Sequence, residues 1–168
     1  MIHHLLFSVG NVRCALPLKS VRVVLQMVQL GPAETTKPAA AGTVNLHGQI
    51  IPVYSVRSFF GIPDRAPKLT DKLFIAEAGA LCVALWVDET RGVEDMAVVE
   101  LRPERDTHGV LSITDTGIVI IHDLGQFLAG ARDGCTAAAL RALRGIGNSH
   151  TLSPRLLVQD EDPRVVRA

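Results

Sequence analysis

Asp88 and Glu89 stand side by side where an apolar run from 81 to 87 ends. Adjacent carboxylates are simple equipment for general acid–base chemistry, but that chemistry needs a His or Lys within reach. The local sequence supplies neither, so a solvated strand end is the plainer reading. The six histidines fall into no metal-binding spacing. His3-His4 are neighbours, which on a strand face opposite ways, and His122-Asp123 reads as a strand end followed by a helix cap. Cys14, Cys82 and Cys135 are scattered and form no CxxC pair, which argues against a zinc site or a disulfide framework and for a reducing compartment. Gly145-Ile146-Gly147 lacks the third glycine and the preceding strand of a phosphate cradle, and neither a GxSxG elbow nor a GxxxxGK[ST] loop is present. Nothing in these residues asks for an enzyme, a metal or a cofactor.

The elements that would carry such residues read as short strands. Residues 3–18 alternate apolar and polar about Gly10-Asn11 and form a hairpin; 21–30 is rich in β-branched residues and makes a further strand. The Pro-, Thr- and Ala-rich piece 31–42 is a loop, and 43–46 and 49–54 are strands. Residues 62–71, IPDRAPKLTD, join two halves. Beyond them 73–77 and 81–87 flank the Ala78-Gly79 turn, a strand lies near 91–95, and 110–114 pairs with 118–122 over Asp115-Thr116-Gly117. About ten short strands with little helix signal an all-β sandwich or barrel.

One pattern occurs twice. Ile50-Ile51-Pro52-Val53 leads through Ser55 to Val56, Phe59 and Phe60; Ile118-Val119-Ile120-Ile121 leads through Asp123 to Leu124, Phe127 and Leu128. Each copy is a strand, a Ser or Asp helix cap, and one helical turn with a single apolar face. The expectation is a pseudo-twofold protein of two small barrels, each closed at an open end by its helical turn. After Gly130 the sequence changes. Residues 136–144 read as an Ala/Leu-rich helix stopped by Gly145, and 146–168 as a weakly ordered tail.

Composition bounds the partners. The chain has 168 residues, 48 % apolar and 20 % charged, with formal net charge zero. That profile is globular, and the missing basic excess speaks against nucleic acid. No apolar run is long enough to cross a bilayer or to act as a secretory signal, so direct membrane insertion is not expected and the cytoplasm is. One Trp and one Tyr are too few for an aromatic polyproline groove, which leaves aliphatic patches, loops and strand edges as binding surface.

The stretch Asn45-Leu46-His47-Gly48-Gln49-Ile50-Ile51-Pro52-Val53, with Val56-Arg57 and Phe60-Gly61 after it, resembles the signature of CheW-like chemotaxis coupling proteins. Three further pieces fit in the same order: Ala15-Leu16-Pro17 with Val21, residues 84–88 with Val93, and Gly109-Val110 followed by 118–124. The resemblance implies a CheW-like domain over 1–130 made of two five-stranded SH3-like barrels, with approximate halves 1–61 and 72–130. Residues 131–168 lie outside it. It also implies a non-enzymatic adaptor between chemoreceptor cytoplasmic tips and the regulatory domain of a CheA-type histidine kinase. Related adaptors serve pathways controlling pili, development or second messengers. A small ligand-binding barrel is the remaining alternative.

Partner-binding positions carried over from the family are Val21 and Val23, on a strand lining a groove between the barrels, and Asn45, His47 and Gly48, in the turn before the central strand. Asp88 joins them. Each has a plainer role beside this one: Val21 and Val23 as core, Asn45 bonding its own turn, Gly48 supplying backbone freedom, Asp88 ending a strand. Two positions depart from the family pattern, which usually has Arg at His47 and Asp at Ser55. Ser still caps a helix, but His replaces a permanent charged fork with a smaller, titratable ring.

Overall fold

A computed structural model describes residues 2–33, 40–96, 111–114 and 116–133. The expected helix at 136–144, the tail beyond it and Asp115 lie outside the described residues. Strands alternate with tight turns in the order β1 (Ile2–Val9), β2 (Val12–Pro17), β3 (Val21–Gln26), β4 (Gly42–Leu46) and β5 (Gln49–Ser55), followed by the short helix α1 (Val56–Phe59). The second series is β6 (Lys72–Ala78), β7 (Leu81–Val87), β8 (Glu89–Met96), β9 (Leu111–Ile113) and β10 (Val119–Ile121), followed by α2 (Leu124–Asp133). Among the described residues no helix is long and apolar enough to cross a membrane.

The strands form two curled five-stranded sheets, β8-β1-β2-β10-β9 and β3-β6-β7-β5-β4. Read from one edge, the two orders are the same order: β6-β7 stands where β1-β2 stands, β3 matches β8, and β5-β4 matches β10-β9. The pairings correspond as well. Phe7 faces Cys14 as Ala76 faces Val83, and in each sheet the last strand of a repeat runs parallel to the hairpin's second strand, β10 beside β2 and β5 beside β7. Even the irregularities match, with a bulge at Arg22 in β3 and another at Arg91 in β8. The sequence repeat and the sheets nevertheless divide the chain differently. Each sheet takes its central hairpin from one repeat and its other three strands from the other.

Three apolar layers follow from strand alternation. Leu5, Phe7, Cys14 and Leu16 meet Tyr54, Phe74, Val83 and Leu85 between the sheets. The inner side of the β3–β4 sheet holds Met27, Val44, Ile51, Val53, Leu73, Ile75, Ala84 and Trp86. The inner side of its counterpart holds Leu6, Ala15, Ile118 and Ile120.

Three expectations change on contact with this arrangement. The helical turns do not plug barrel ends: Val56, Phe59, Phe60, Leu124 and Phe127 all join the layer between the sheets, where the Phe59 and Phe127 rings meet edge to face at 4.9 Å. Burial of each such side chain contributes about 1.5–3 kcal/mol. The two copies of the motif therefore seal one shared layer by touching each other. The second change concerns Ser55, whose hydroxyl makes no cap bond and instead donates to Asp64 Oδ1 at 3.3 Å. Asp123 does cap, accepting from the Gln126 N–H at 3.0 Å. The third concerns 21–30 and 31–42. Strand β3 stops at Gln26, yet Gly31 pairs with Thr43 on β4 through bonds of 2.8 and 3.2 Å, so the ends of the expected loop close the sheet on itself. A side chain at Gly42 would stand 2.7 Å from the Gly31 carbonyl oxygen, so glycine is the residue that permits this approach.

Candidate partner-binding surfaces

The turn between β4 and β5 has two central residues, and both adopt positive φ: 51° at His47 and 85° at Gly48. That is the geometry of a hairpin turn whose twist matches its strands. Glycine reaches it freely, and histidine does so more readily than most other residues. Asn45 Oδ1 accepts the Gly48 N–H at 2.8 Å and fixes the turn from within. The product is a rigid knuckle with His47, Gly48, Gln49 and Ile50 all exposed, Ile50 to 53 %.

Val21 and Val23 lie on β3, at the opposite end of the strand order in the same sheet. Both are half-buried. Val21 packs against the layer between the sheets and Val23 against the inner layer of its own sheet, so each is part core and part surface. The bulge between them turns Arg22 outward to Glu77 at 3.2 Å. The β4–β5 turn and β3 are the two elements that carry these five candidate positions.

Asp88 belongs to neither. It is the one residue between β7 and β8, where the chain passes from one sheet to the other. Its N–H donates to the Ser8 carbonyl at 3.1 Å, and its Oδ2 accepts the Gly10 N–H at 2.8 Å. Arg57 grips the same carboxylate with Nε at 3.1 Å and Nη2 at 2.5 Å, and Arg65 Nη2 reaches Oδ1 at 3.0 Å. Arg65 in turn forks onto Asp71 at 2.8 and 2.7 Å. Asp71 also accepts from the Lys68 N–H and from Trp86 Nε1, at 2.8 and 3.0 Å.

The Asp71 side chain is only 1 % exposed. Burial alone raises a carboxyl pKa, but here the bonds from Arg65, Lys68 and Trp86 and the Arg65 charge outweigh it and hold the group below the usual carboxylate range. The same partnership, led by the hydrogen bond to Asp71, raises the Arg65 guanidinium further. These residues line an open depression of about 430 Å³ with Thr70 and Glu89. Its buried Asp71 and half-buried Asp88 carboxylates are committed to arginines and backbone N–H groups, so the depression is built as an ion-pair node.

The sequence reading missed this node. Arg65 and Asp71 sit in the piece read as a join, and the one available signal was their charge within a proline-stiffened segment beside a lone tryptophan. The other candidate chemistry is quiet. Cys14 is fully buried, and burial pushes its thiol pKa far up, away from nucleophilic or ligand behaviour. Exposed His3 pairs with Asp95, and His122 Nε2 lies 3.0 Å from Ser112 Oγ. Among the described residues no three His, Cys, Asp or Glu side chains converge as a metal site.

Comparison with known proteins agrees with this architecture. No curated protein matches the chain. Among solved structures, the scaffolding protein TtCheW from Thermoanaerobacter tengcongensis superposes with a TM-score of 0.61 at 24 % identity, over 71 % of this chain and 88 % of that one. At that identity the likeness speaks for the fold. The family model of the CheW-like domain matches residues 3–132, which include every described strand from β2 to β10, and the chain therefore belongs to the CheW-like domain family.

Proposed function

We propose that this protein is a non-enzymatic cytoplasmic scaffold that couples chemoreceptor signalling tips to the regulatory domain of a CheA-type histidine kinase. The observation that carries the reading is family membership across 3–132. Two exposed features support it: β3 carries the half-buried Val21 and Val23, and the β4–β5 turn exposes His47, Gly48 and Ile50. The solved relative bears the name of a scaffolding protein, and the committed carboxylates of the depression suit a protein that positions others. Val21 and Val23 face one partner in this reading, and Asn45, His47 and Gly48 the other.

Co-sedimentation of the purified protein with a receptor signalling fragment and its cognate kinase tests the proposal. Recovery of the protein in both binary mixtures is expected; recovery in neither removes the reading. A second pathway of the same kind, controlling pili, development or second messengers, is favoured by one observation, the His47 side chain where the family usually carries Arg. His47→Arg should tighten kinase binding if the turn faces the kinase, and unchanged affinity takes His47 out of that interface.

A further inference from the structure

The most exposed large apolar side chain among the described residues stands at the tip of a tight turn. In Lys68–Asp71 the Asp71 N–H donates to the Lys68 carbonyl at 3.0 Å, and the Asp71 carboxylate accepts the Lys68 N–H at 2.8 Å. Leu69 and Thr70, between them, are turned outward, Leu69 to 80 % exposure. Turn tips ordinarily carry polar residues, Gly or Pro, each for a backbone reason that leucine does not share. The turn is also fastened to the end of β3. The Leu69 carbonyl accepts from Gln26 Nε2 at 3.2 Å, and the Asp71 carbonyl accepts the Met27 N–H at 3.0 Å. Backbone bonds thus fix the place of Leu69, and its side chain is left over.

Other exposed apolar residues gather beside it. Val21, Val24 and Gln26 pair with Ala76, Phe74 and Lys72, alternate residues of β6, and so share one face of the strand. That face runs from half-buried Val21, packed on the layer between the sheets, to the more exposed Val24, and past Gln26 the chain reaches exposed Val28. Three of the eight large apolar side chains exposed among the described residues, Val24, Val28 and Leu69, therefore lie about Gln26. The free charge around them has one sign. Lys68 opens the turn and Lys72 follows it, and neither ammonium makes a hydrogen bond or ion pair among the described residues. The carboxylates lining the same depression as Lys68 are engaged: Asp71 by Arg65, Asp88 by Arg57, and Glu89 by Arg91.

We propose that this patch is a docking site for an acidic amphipathic protein segment, which lays aliphatic side chains on Val24, Val28 and Leu69 and sets Asp or Glu side chains against Lys68 and Lys72. Contiguous exposed apolar surface marks a protein contact, and a rim of one charge selects which partner is admitted. The patch continues the row that begins at Val21, so the segment belongs to the partner that Val21 and Val23 meet. The inference rests on the reading above that β3 faces a partner, taken here as the receptor tip.

The test uses the full chain with Leu69→Ser and Lys68→Glu, singly and together, against a receptor signalling fragment and, in parallel, the kinase regulatory domain. Both side chains stand free of the fold, so the urea midpoint should not move. The double variant should weaken receptor binding about tenfold or more while kinase binding holds. Lys68→Glu alone should flatten the dependence of receptor binding on salt, and Lys68→Arg, which keeps the charge, should bind as the unaltered protein does. An unmoved receptor affinity overturns the proposal and leaves the coupling reading standing, as does a loss confined to the kinase. If the unaltered protein binds neither ligand, the coupling reading falls and the docking site falls with it. Retention on vesicles containing anionic phospholipid, lost in the double variant while receptor binding holds, makes the patch a membrane contact and also overturns the proposal.

Discussion

The two sheets share a topology, and among the described residues their interiors differ in kind. Inside the β3–β4 sheet lie eight buried apolar residues, among them Met27, Trp86, Ile51 and Ile75. The matching layer of the other sheet has Leu6, Ala15, Ile118 and Ile120, while Ser112 and Thr114 are also buried in its strand β9 and just beyond it. His4, with the same strand parity as Leu6, is 0 % exposed and takes the place that Leu73 fills in the first sheet. Its Nδ1 lies 2.7 Å from the Ile2 carbonyl, and its Nε2 is buried with no hydrogen-bond partner among the described residues. Among the described residues, one repeat plan therefore carries an apolar filling in one sheet and a partly polar one in the other. The layer between the sheets, built from both, is what the plan holds constant.

That contrast can be broken at its strongest point. Trp86→Ala removes the largest side chain of the apolar interior and the indole bond to Asp71 together. It should cost about 3–5 kcal/mol in urea unfolding, more than truncation of any residue in the polar interior. An equal or smaller loss than Ile120→Ala would mean that the two interiors are energetically alike.

The next effect is the acid limb of stability. The Asp71 carboxyl is depressed in the folded state, so its contribution is complete above its unfolded pKa, about 4, and is lost as pH falls through the folded value. Denaturation curves from pH 7 down to pH 2 should show a loss that Asp71→Asn flattens. An unchanged acid limb in the variant would show that the ion-pair node does not distinguish this sheet from its twin.

The smallest expected change has the opposite sign. A buried unpaired nitrogen costs stability, and His4→Leu replaces it with the residue type found at the matching place in the first sheet. The urea midpoint should rise, for a gain of about 1 kcal/mol. A loss would indicate that the second interior requires a polar atom there.

Most strands could be read from alternation and turn residues, because a half-buried strand writes its period into the sequence. The Asn45–Gly48 turn was legible for the same reason: His47-Gly48 between apolar runs is local chemistry. Two things were not legible. The exchange of hairpins between sheets leaves no local trace, since β1 pairs equally well with any strand of suitable pattern, and the halves 1–61 and 72–130 looked like the units. The clasp at Asp88 was equally hidden, because Gly10, Arg57, Arg65 and Asp71 are brought together only by the crossover. Ser55 shows the limit from the other direction. A residue that caps helices elsewhere was drawn off by Asp64, nine positions away in the chain.

Interleaving also fixes what can be inherited. Because one sheet is the continuous run β3–β7 and the other joins β1-β2 to β8–β10, a premature stop or a recombination joint falling within β3–β7 robs both, and one falling between β7 and β10 robs only the split sheet. The split sheet can be moved only with the whole module, and a half-copy carrying β8–β10 without β1-β2 would find its missing hairpin only in another polypeptide.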